Sequence, residues 1–228
     1  MARNKYPEET VKKILNTAIS LFLENGYEKT SMQDIVNALG MSKGAIYHHF
    51  KSKEELFERA VLEFYARDDR FDAILKDETT SGLEKLRAMF RTEMADEEKL
   101  AMDQLYVTQI SDPRVFMEHM RLNIVESGPE VAKVIEQGNR DGSLQVEYPL
   151  ETAELILMMA NVWIGLFGDT RDKFERQVRV CQTALEALGI PLIEETMVSL
   201  LLRYYDRTLL WAHDRLEREA PQPRQGSG

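Results

Sequence analysis

The sequence has few cysteines, which cross-link small folds, and few prolines and glycines, which interrupt long helices. Its single cysteine, Cys181, excludes an internal disulfide framework and a cysteine-based zinc cage. Only 7 prolines and 12 glycines occur in 228 residues, which permits long helices and disfavours many short strands. No apolar run reaches the roughly 18 residues of a membrane span. The first seven residues are polar and basic, unlike a secretory signal, so we expect no membrane contact and a cytoplasmic location.

Sequence motifs that carry catalysis are also missing. There is no HExxH, no GxSxG and no glycine-rich phosphate loop after a strand. Two of the four histidines, His48 and His49, fall in a segment whose pattern indicates a non-catalytic role, described below. The carboxylates are scattered over helix faces and form no catalytic pair. We therefore expect no catalytic residue, no metal site and no cofactor. An enzyme or a pure ligand carrier is the rival class of protein.

Charge is distributed unevenly along the chain. The net charge is −10, which by itself disfavours contact with phosphates. Residues 1–60 nevertheless carry 9 basic and 8 acidic side chains, whereas the other 168 residues carry 20 and 31. No acidic residue lies between Asp34 and Glu54, a window that contains Lys43, Lys51 and Lys53. A window of this length can lack acidic residues by chance, so charge alone does not indicate contact with DNA. The pattern of residues inside the window decides that question.

Hydrophobic periodicity predicts helices along nearly the whole chain, and the N-terminal ones carry clear start and stop signals. Apolar residues of the first helix recur with the 3.6-residue period. Ser52 is followed three residues later by Glu55, the spacing of a capping box. The signals are Pro7 before the first helix, Gly26 after it, Thr30 or Ser31 before the second, Gly40 after it, Ser42 before the third and Ser52 before the fourth.

Beyond residue 75 the predicted helices lengthen. Residues 142–148 alternate apolar and polar side chains, but this stretch is too short and isolated to form a sheet. We therefore predict an all-α fold. The helices are predicted at 81–94, 97–110, 113–126, 129–139, 149–168, 171–188 and 192–218, and the polar residues 220–228 are predicted to be disordered.

Residues 31–50 have the form of a helix-turn-helix, with two short helices joined at Gly40. In this motif the N-terminal part of the second helix enters the major groove of DNA. Small residues there allow close approach to the duplex. The alternative is a plain helical hairpin in a bundle. The candidate DNA contacts are Ser42, Lys43, Gly44, Ala45, Tyr47 and His48 on the second helix, Thr30 and Gln33 at the first, and Lys53 beyond them.

The same segment resembles the N-terminal signature of the TetR family of bacterial transcriptional regulators. The resemblance lies in TSMQDI (residues 30–35), LGMSKG (39–44), IYHHF (46–50) and KSKEELF (51–57), preceded by AISLF (18–22) and GY (26–27). It covers about 55 residues and assigns DNA contact to all nine candidates above. It also implies a three-helix core of Ile35, Leu39, Ile46, Phe50 and Phe57. Gln33 departs from the family, which often has a basic residue there.

The resemblance fades after about residue 65 and then implies only an architecture. We expect a DNA-binding domain with a three-helix helix-turn-helix at residues 7–66, and a larger helical domain for effector binding and dimerisation at residues 67–219. The implied function is a ligand-responsive repressor that a small-molecule effector releases from a palindromic operator of double-stranded DNA. An activator, or a regulator that binds a partner protein, is the alternative.

Candidate effector contacts and a dimer interface come from the apolar residues of the second domain. The helix at 149–168 is apolar nearly all round, so it is buried in a core or between two chains of a homodimer. Asn161 within it needs a polar partner, which is a ligand, a neighbouring backbone group or a dimer mate. Methionine and aromatic side chains suit a pocket for varied apolar shapes, although at helical spacing they also suit a plain core. The candidates are Phe90, Tyr106, Met117, Met120, Met159, Asn161 and Trp163.

Overall fold

The computed structural model describes residues 7–65, 71–109, 113–164 and 170–209. Helices account for most of this part of the chain, and no strand occurs within it. The predicted all-α fold is confirmed. The described residues form two compact units. The first contains residues 7–65, Gln109 and the start of the helix at 113–119, and the second contains the rest.

Four helices build most of the first unit around one small core. Ile14, Ile35, Ile46 and Leu56, one from each helix, are completely buried. An aromatic cluster ties the end of the first helix to the fourth, since the Phe22 ring lies 5.4 Å from the Phe57 ring. The helices are α1 (Pro7–Asn25), α2 (Met32–Leu39), α3 (Lys43–His49) and α4 (Lys53–Tyr65).

The described residues contain eight further helices, and α6, α9 and α10 make the closest packing in the second unit. The start of α6 lies directly against α9, because a Cβ on Gly82 would stand 2.3 Å from the Gly138 nitrogen. The core continues through Phe174, Val178 and Tyr205. The helices are α5 (Asp72–Lys76), α6 (Gly82–Ala95), α7 (Glu97–Gln109), α8 (Pro113–Leu122), α9 (Gly128–Asp141), α10 (Pro149–Met158), α11 (Arg171–Ala187) and α12 (Glu195–Tyr204).

In the described ranges, three π-helical segments continue α8, α10 and α12, namely π1 (Asn123–Ser127), π2 (Met159–Ile164) and π3 (Tyr205–Leu209). The break predicted between residues 126 and 129 is wrong, because π1 joins α8 to α9 without interruption. Pro129 explains the wider turn, since its ring would clash with the carbonyl four residues earlier in a regular α-helix. The last helix begins at Glu195 rather than at residue 192. Its predicted end and the tail at 220–228 lie outside the described residues.

Candidate DNA-binding surface

Helix α2 is held at both ends by local hydrogen bonds. Of the two predicted caps Ser31 is the one used, and its Oγ accepts a hydrogen bond from the Asp34 N–H at 3.2 Å. In return the Asp34 carboxylate accepts the Ser31 N–H at 2.8 Å. The hydrogen bonds from the Ser31 hydroxyl and N–H lower the pKa of Asp34. At the other end Gly40 has φ of 61°, a left-handed geometry that glycine adopts without strain.

Helix α3 buries one side and exposes the other. Ser42 caps it by accepting the Ala45 N–H at 3.2 Å. Ile46 and Phe50 anchor it in the core of the first unit. Five of the predicted contact residues are exposed. They are the cap residue Ser42 and, on the helix, Lys43, Gly44, Tyr47 and His48. The Lys43 ammonium lies 5.4 Å from the centre of the Tyr47 ring, so a cation and a phenol share one surface.

Gln33 and Ala45 complete the part of this surface that the sequence predicted on α2 and α3. Gln33 is exposed, and its amide donates to the Asn37 side chain one turn later at 2.9 Å. Ala45 is half-buried, so only part of its methyl group is accessible. We name the exposed residues Gln33, Ser42, Lys43, Gly44, Tyr47 and His48 the recognition surface.

Lys53 braces the loop before α2 as well as facing solvent. Its ammonium donates to the Tyr27 carbonyl at 3.0 Å and lies 4.1 Å from the centre of the Tyr27 ring. The Tyr27 hydroxyl in turn donates to Glu54 at 3.4 Å. Burial, followed by the charge of Glu54, raises the pKa of Tyr27 to about 12. An ammonium has three N–H donors, so one internal hydrogen bond leaves Lys53 able to contact a phosphate.

Thr30 does not lie where the sequence placed it. Its side chain is only 2% exposed, and its hydroxyl donates to the carbonyls of Leu21 and Gly26. In this structure the Thr30 side chain is therefore not exposed for the direct DNA contact that the sequence predicted. These hydrogen bonds join Thr30 to the end of α1 and fix the loop that leads into α2.

The predicted cap of α4 is confirmed for Ser52, whose Oγ accepts the Glu55 N–H at 3.2 Å. The reciprocal hydrogen bond differs from the expected box. The Glu55 carboxylate accepts the N–H of Lys51 at 2.8 Å rather than that of Ser52. This hydrogen bond joins Lys51, in the turn after α3, to the first turn of α4.

Of the residues predicted to form the three-helix core, Leu39 alone is half-buried rather than buried.

The seven predicted effector contacts differ in how deeply they are buried. Tyr106 and Met120 are buried, and Phe90 and Met159 pack partly buried against the core. Met117 is 63% exposed and belongs to the first compact unit. Burial, followed by the charge of Asp103, raises the pKa of the Tyr106 hydroxyl.

Asn161 and Trp163, the remaining two, lie in π2. The Asn161 amide donates to the Leu157 carbonyl at 2.9 Å and to the Asn123 side chain at 3.3 Å. Its predicted need for a polar partner is thus met by neighbouring backbone and by an asparagine of π1. Trp163 is partly exposed, and its carbonyl accepts a hydrogen bond from Gln177.

A buried polar cluster in the second unit was not predicted from the sequence. The Lys99 ammonium lies 2.7 Å from Asp103 and 3.2 Å from Glu93. The Tyr204 hydroxyl also donates to Asp103, at 3.0 Å. Burial lowers the pKa of Lys99, but the charges of Asp103 and Glu93 outweigh burial and raise it. The spacing of Lys99 and Asp103 is visible in the sequence, whereas their enclosure by α6 and α12 is not.

No described helix is long and apolar enough to cross a membrane. No group of three or more histidine, cysteine, aspartate or glutamate side chains in the described ranges is arranged to hold a metal ion. Cys181 is buried, and burial raises the pKa of its thiol to about 11.

Sequence and structure comparisons identify relatives of this chain. The HTH-type transcriptional repressor KstR2 of Mycolicibacterium smegmatis is 29% identical over 150 residues, which are 64% of this chain and 72% of that protein. The negative transcriptional regulator IcaR of Staphylococcus aureus is 41% identical over 49 residues, 22% of this chain and 26% of IcaR. A crystal structure of a TetR-family regulator from Pectobacterium atrosepticum superposes with a TM-score of 0.56 at 22% identity, covering 83% of this chain and 98% of that one.

Two family models match, and they cover different parts of the sequence. The model of bacterial regulatory proteins of the tetR family matches residues 14–60, which contain the recognition surface. The model of the tetracyclin repressor-like C-terminal domain matches residues 101–183. Together they span more than half of the chain, and this chain belongs to the TetR family of DNA-binding transcriptional regulators.

Proposed function

We propose that the chain is a repressor that binds a palindromic operator as a homodimer and leaves it when a small-molecule effector binds the second unit. One observation carries the DNA-binding part of this proposal: α3 is anchored by Ile46 and Phe50 and exposes Lys43 and Tyr47 on its free side. The relatives KstR2 and IcaR are named as a repressor and a negative regulator, which supports repression.

The side chains of the recognition surface and the neighbouring Lys53 have different roles. Lys43 and Tyr47 carry a cation and a hydroxyl toward the duplex, and Lys53 supplies positive charge beside the loop. Contacts from lysine to phosphate strengthen binding to all sequences, whereas contacts to base edges select among sequences. The second unit carries nearly all of the chain's net negative charge, so charge favours contact with DNA through the first unit.

Replacement of Tyr47 by alanine tests the recognition surface. Tyr47 is exposed, so the substitution should leave the stability of the fold unchanged while it weakens binding to an operator selected from random DNA. We expect about a tenfold loss or more, the effect of losing one good contact to the duplex. Fluorescence anisotropy with a labelled duplex measures it. Ser20→Ala, at an exposed residue of α1, is the control, and equal losses for the two variants would contradict the assignment.

A homodimer is supported by apolar side chains that the second unit leaves exposed. Met158 on α10 is 48% exposed and Val180 on α11 is 53% exposed. Segment π2 packs on α11, where Gln177 donates to the Trp163 carbonyl at 2.9 Å. Exposed apolar side chains on neighbouring elements are typical of a surface that a partner covers.

The double variant Met158→Glu with Val180→Glu tests this dimer. Carboxylates buried between two copies would lose hydration without a partner, so we expect a folded monomer in sedimentation. Glu substitutions at Lys133 and Arg140, exposed on α9, provide the control and should leave the dimer intact. A wild-type protein that sediments as a monomer at micromolar concentration would contradict the homodimer.

A further inference from the structure

The carboxamide of Gln177, on the buried side of α11, has a hydrogen-bonding capacity that the described chain does not use. Gln177 is only 6% exposed, and its Nε2 donates to the Trp163 carbonyl at 2.9 Å. No donor in the described residues reaches its Oε1. The orientation is fixed, because a flipped amide would place two acceptor oxygens, Oε1 and the Trp163 carbonyl, against each other.

An unpaired acceptor in this buried position destabilises the fold. A buried oxygen without a donor has lost its hydrogen bonds to water without gaining one from the protein, which destabilises the folded state. Most buried polar groups in native proteins have a partner, so an exception calls for a specific explanation. Methionine, of similar length and without the polar oxygen, would fit an ordinary core position better.

The surroundings of Gln177 are apolar and adjoin two irregular helical segments. Phe174 lies one turn before it on α11 and Cys181 one turn after it, and both are buried. Segments π2 and π3 both pack against α11. Thr208 of π3 is completely buried, and its hydroxyl oxygen also has no hydrogen-bond partner in the described chain. π-Helical turns occur frequently at functional sites, where a local change of hydrogen bonding is possible.

We propose that Gln177 Oε1 accepts a hydrogen bond from the effector, and that the effector is an uncharged, largely apolar molecule with a hydroxyl or amide N–H donor. This assignment rests on the proposed effector-binding role of the second unit. An unpaired acceptor attracts a donor and repels the oxygens of a carboxylate or phosphate. Apolar neighbours such as Phe174 disfavour a charged group, whose desolvation they do not repay.

Three small aromatic probes test the chemistry of this site on the full-length protein without DNA. Phenol carries a hydroxyl donor, anisole has similar size without a donor, and benzoate is an anion. We expect phenol to bind at least about tenfold more tightly than anisole, the effect of one hydrogen bond to a buried acceptor, and benzoate not to bind. Isothermal titration calorimetry measures the affinities, and a thermal melt reports the accompanying stabilisation.

Two matched variants locate the bound phenol. Gln177→Met should abolish the advantage of phenol over anisole. Gln182→Met makes the same change on the same helix, at a half-buried residue whose oxygen already accepts a hydrogen bond from Arg179, and should keep that advantage. Should Gln177→Met fail to fold, the wild-type comparison of phenol with anisole still decides.

Equal binding of phenol and anisole to the wild-type protein would overturn the proposal. So would a Gln177→Met variant that keeps the preference for phenol, or a wild-type protein that binds no probe, because a water would then satisfy the oxygen. These readouts use no DNA. A protein that shows the phenol preference but binds no operator would refute the proposed function and leave the Gln177 site standing.

Discussion

Gly44 occupies a helical position that nothing inside the protein requires to be glycine. It lies in α3 with no positive φ, and a Cβ built there would have no neighbour within 4 Å. Glycine in a helix interior costs about 1 kcal/mol relative to alanine. Under the proposed function, we expect the reason to lie outside the chain, in close approach of the duplex to α3.

Gly44→Ala should raise the free energy of unfolding by up to about 1 kcal/mol and yet weaken operator binding, because the added methyl group separates α3 from the duplex. Urea denaturation and anisotropy measure the two effects. Gly128→Ala, at a helical glycine of α9 where a Cβ would make an ordinary 3.6 Å contact, should stabilise without changing DNA affinity. A Gly44→Ala variant with unchanged operator affinity would contradict the placement of α3 against DNA.

The contribution of the charged residue Lys99 to the stability of the fold depends on the burial of its side chain. Lys99→Met leaves the carboxylates of Asp103 and Glu93 without their cation, and breaking such a buried group costs about 3–5 kcal/mol. Lys133→Met removes the cation of an exposed pair with Glu130 and should change stability by less than about 0.5 kcal/mol. Urea denaturation compares them, and similar losses would show that the cluster around Lys99 is open to water.

The elements of the second unit depend on close backbone contact between α6 and α9. Gly82→Ala would place a methyl carbon 2.3 Å from the Gly138 nitrogen and 2.6 Å from the Val134 carbonyl oxygen. Backbone cannot swing away as a side chain can, so α6 must shift, at a cost of about 1–3 kcal/mol. The midpoint of urea unfolding measures this loss. A Gly82→Ala variant as stable as Gly128→Ala would contradict the observed packing of the two helices.

Elements were predictable from the sequence where their signals are local. Ser31 and Ser52 were found as caps because a cap needs only the next three residues. Thr30 was misplaced because its hydroxyl acceptors include the Leu21 carbonyl, nine residues away at the end of α1. The π segments were missed because one extra residue in a turn barely disturbs hydrophobic periodicity. Gln177 gives no sequence signal, since an unpaired oxygen is a property of packing alone.

For the whole molecule, the proposed DNA binding and effector binding fall on separate compact units, and nearly all of the net negative charge lies in the second unit. A ligand shifts DNA affinity only by its difference in affinity for the DNA-bound and free conformations. The account therefore requires an effector that binds the free conformation better. A saturating effector that left operator affinity unchanged would contradict the proposed mode of regulation.

Selection of bound duplexes from a random DNA library, with the purified protein at near-physiological salt, tests the central claim most directly. We expect enrichment of one motif with two-fold symmetry, because two copies of α3 in a homodimer would contact equivalent half-sites about one helical turn apart. A folded, dimeric protein that enriches no sequence, or enriches a motif without symmetry, would contradict operator recognition by a pair of α3 helices.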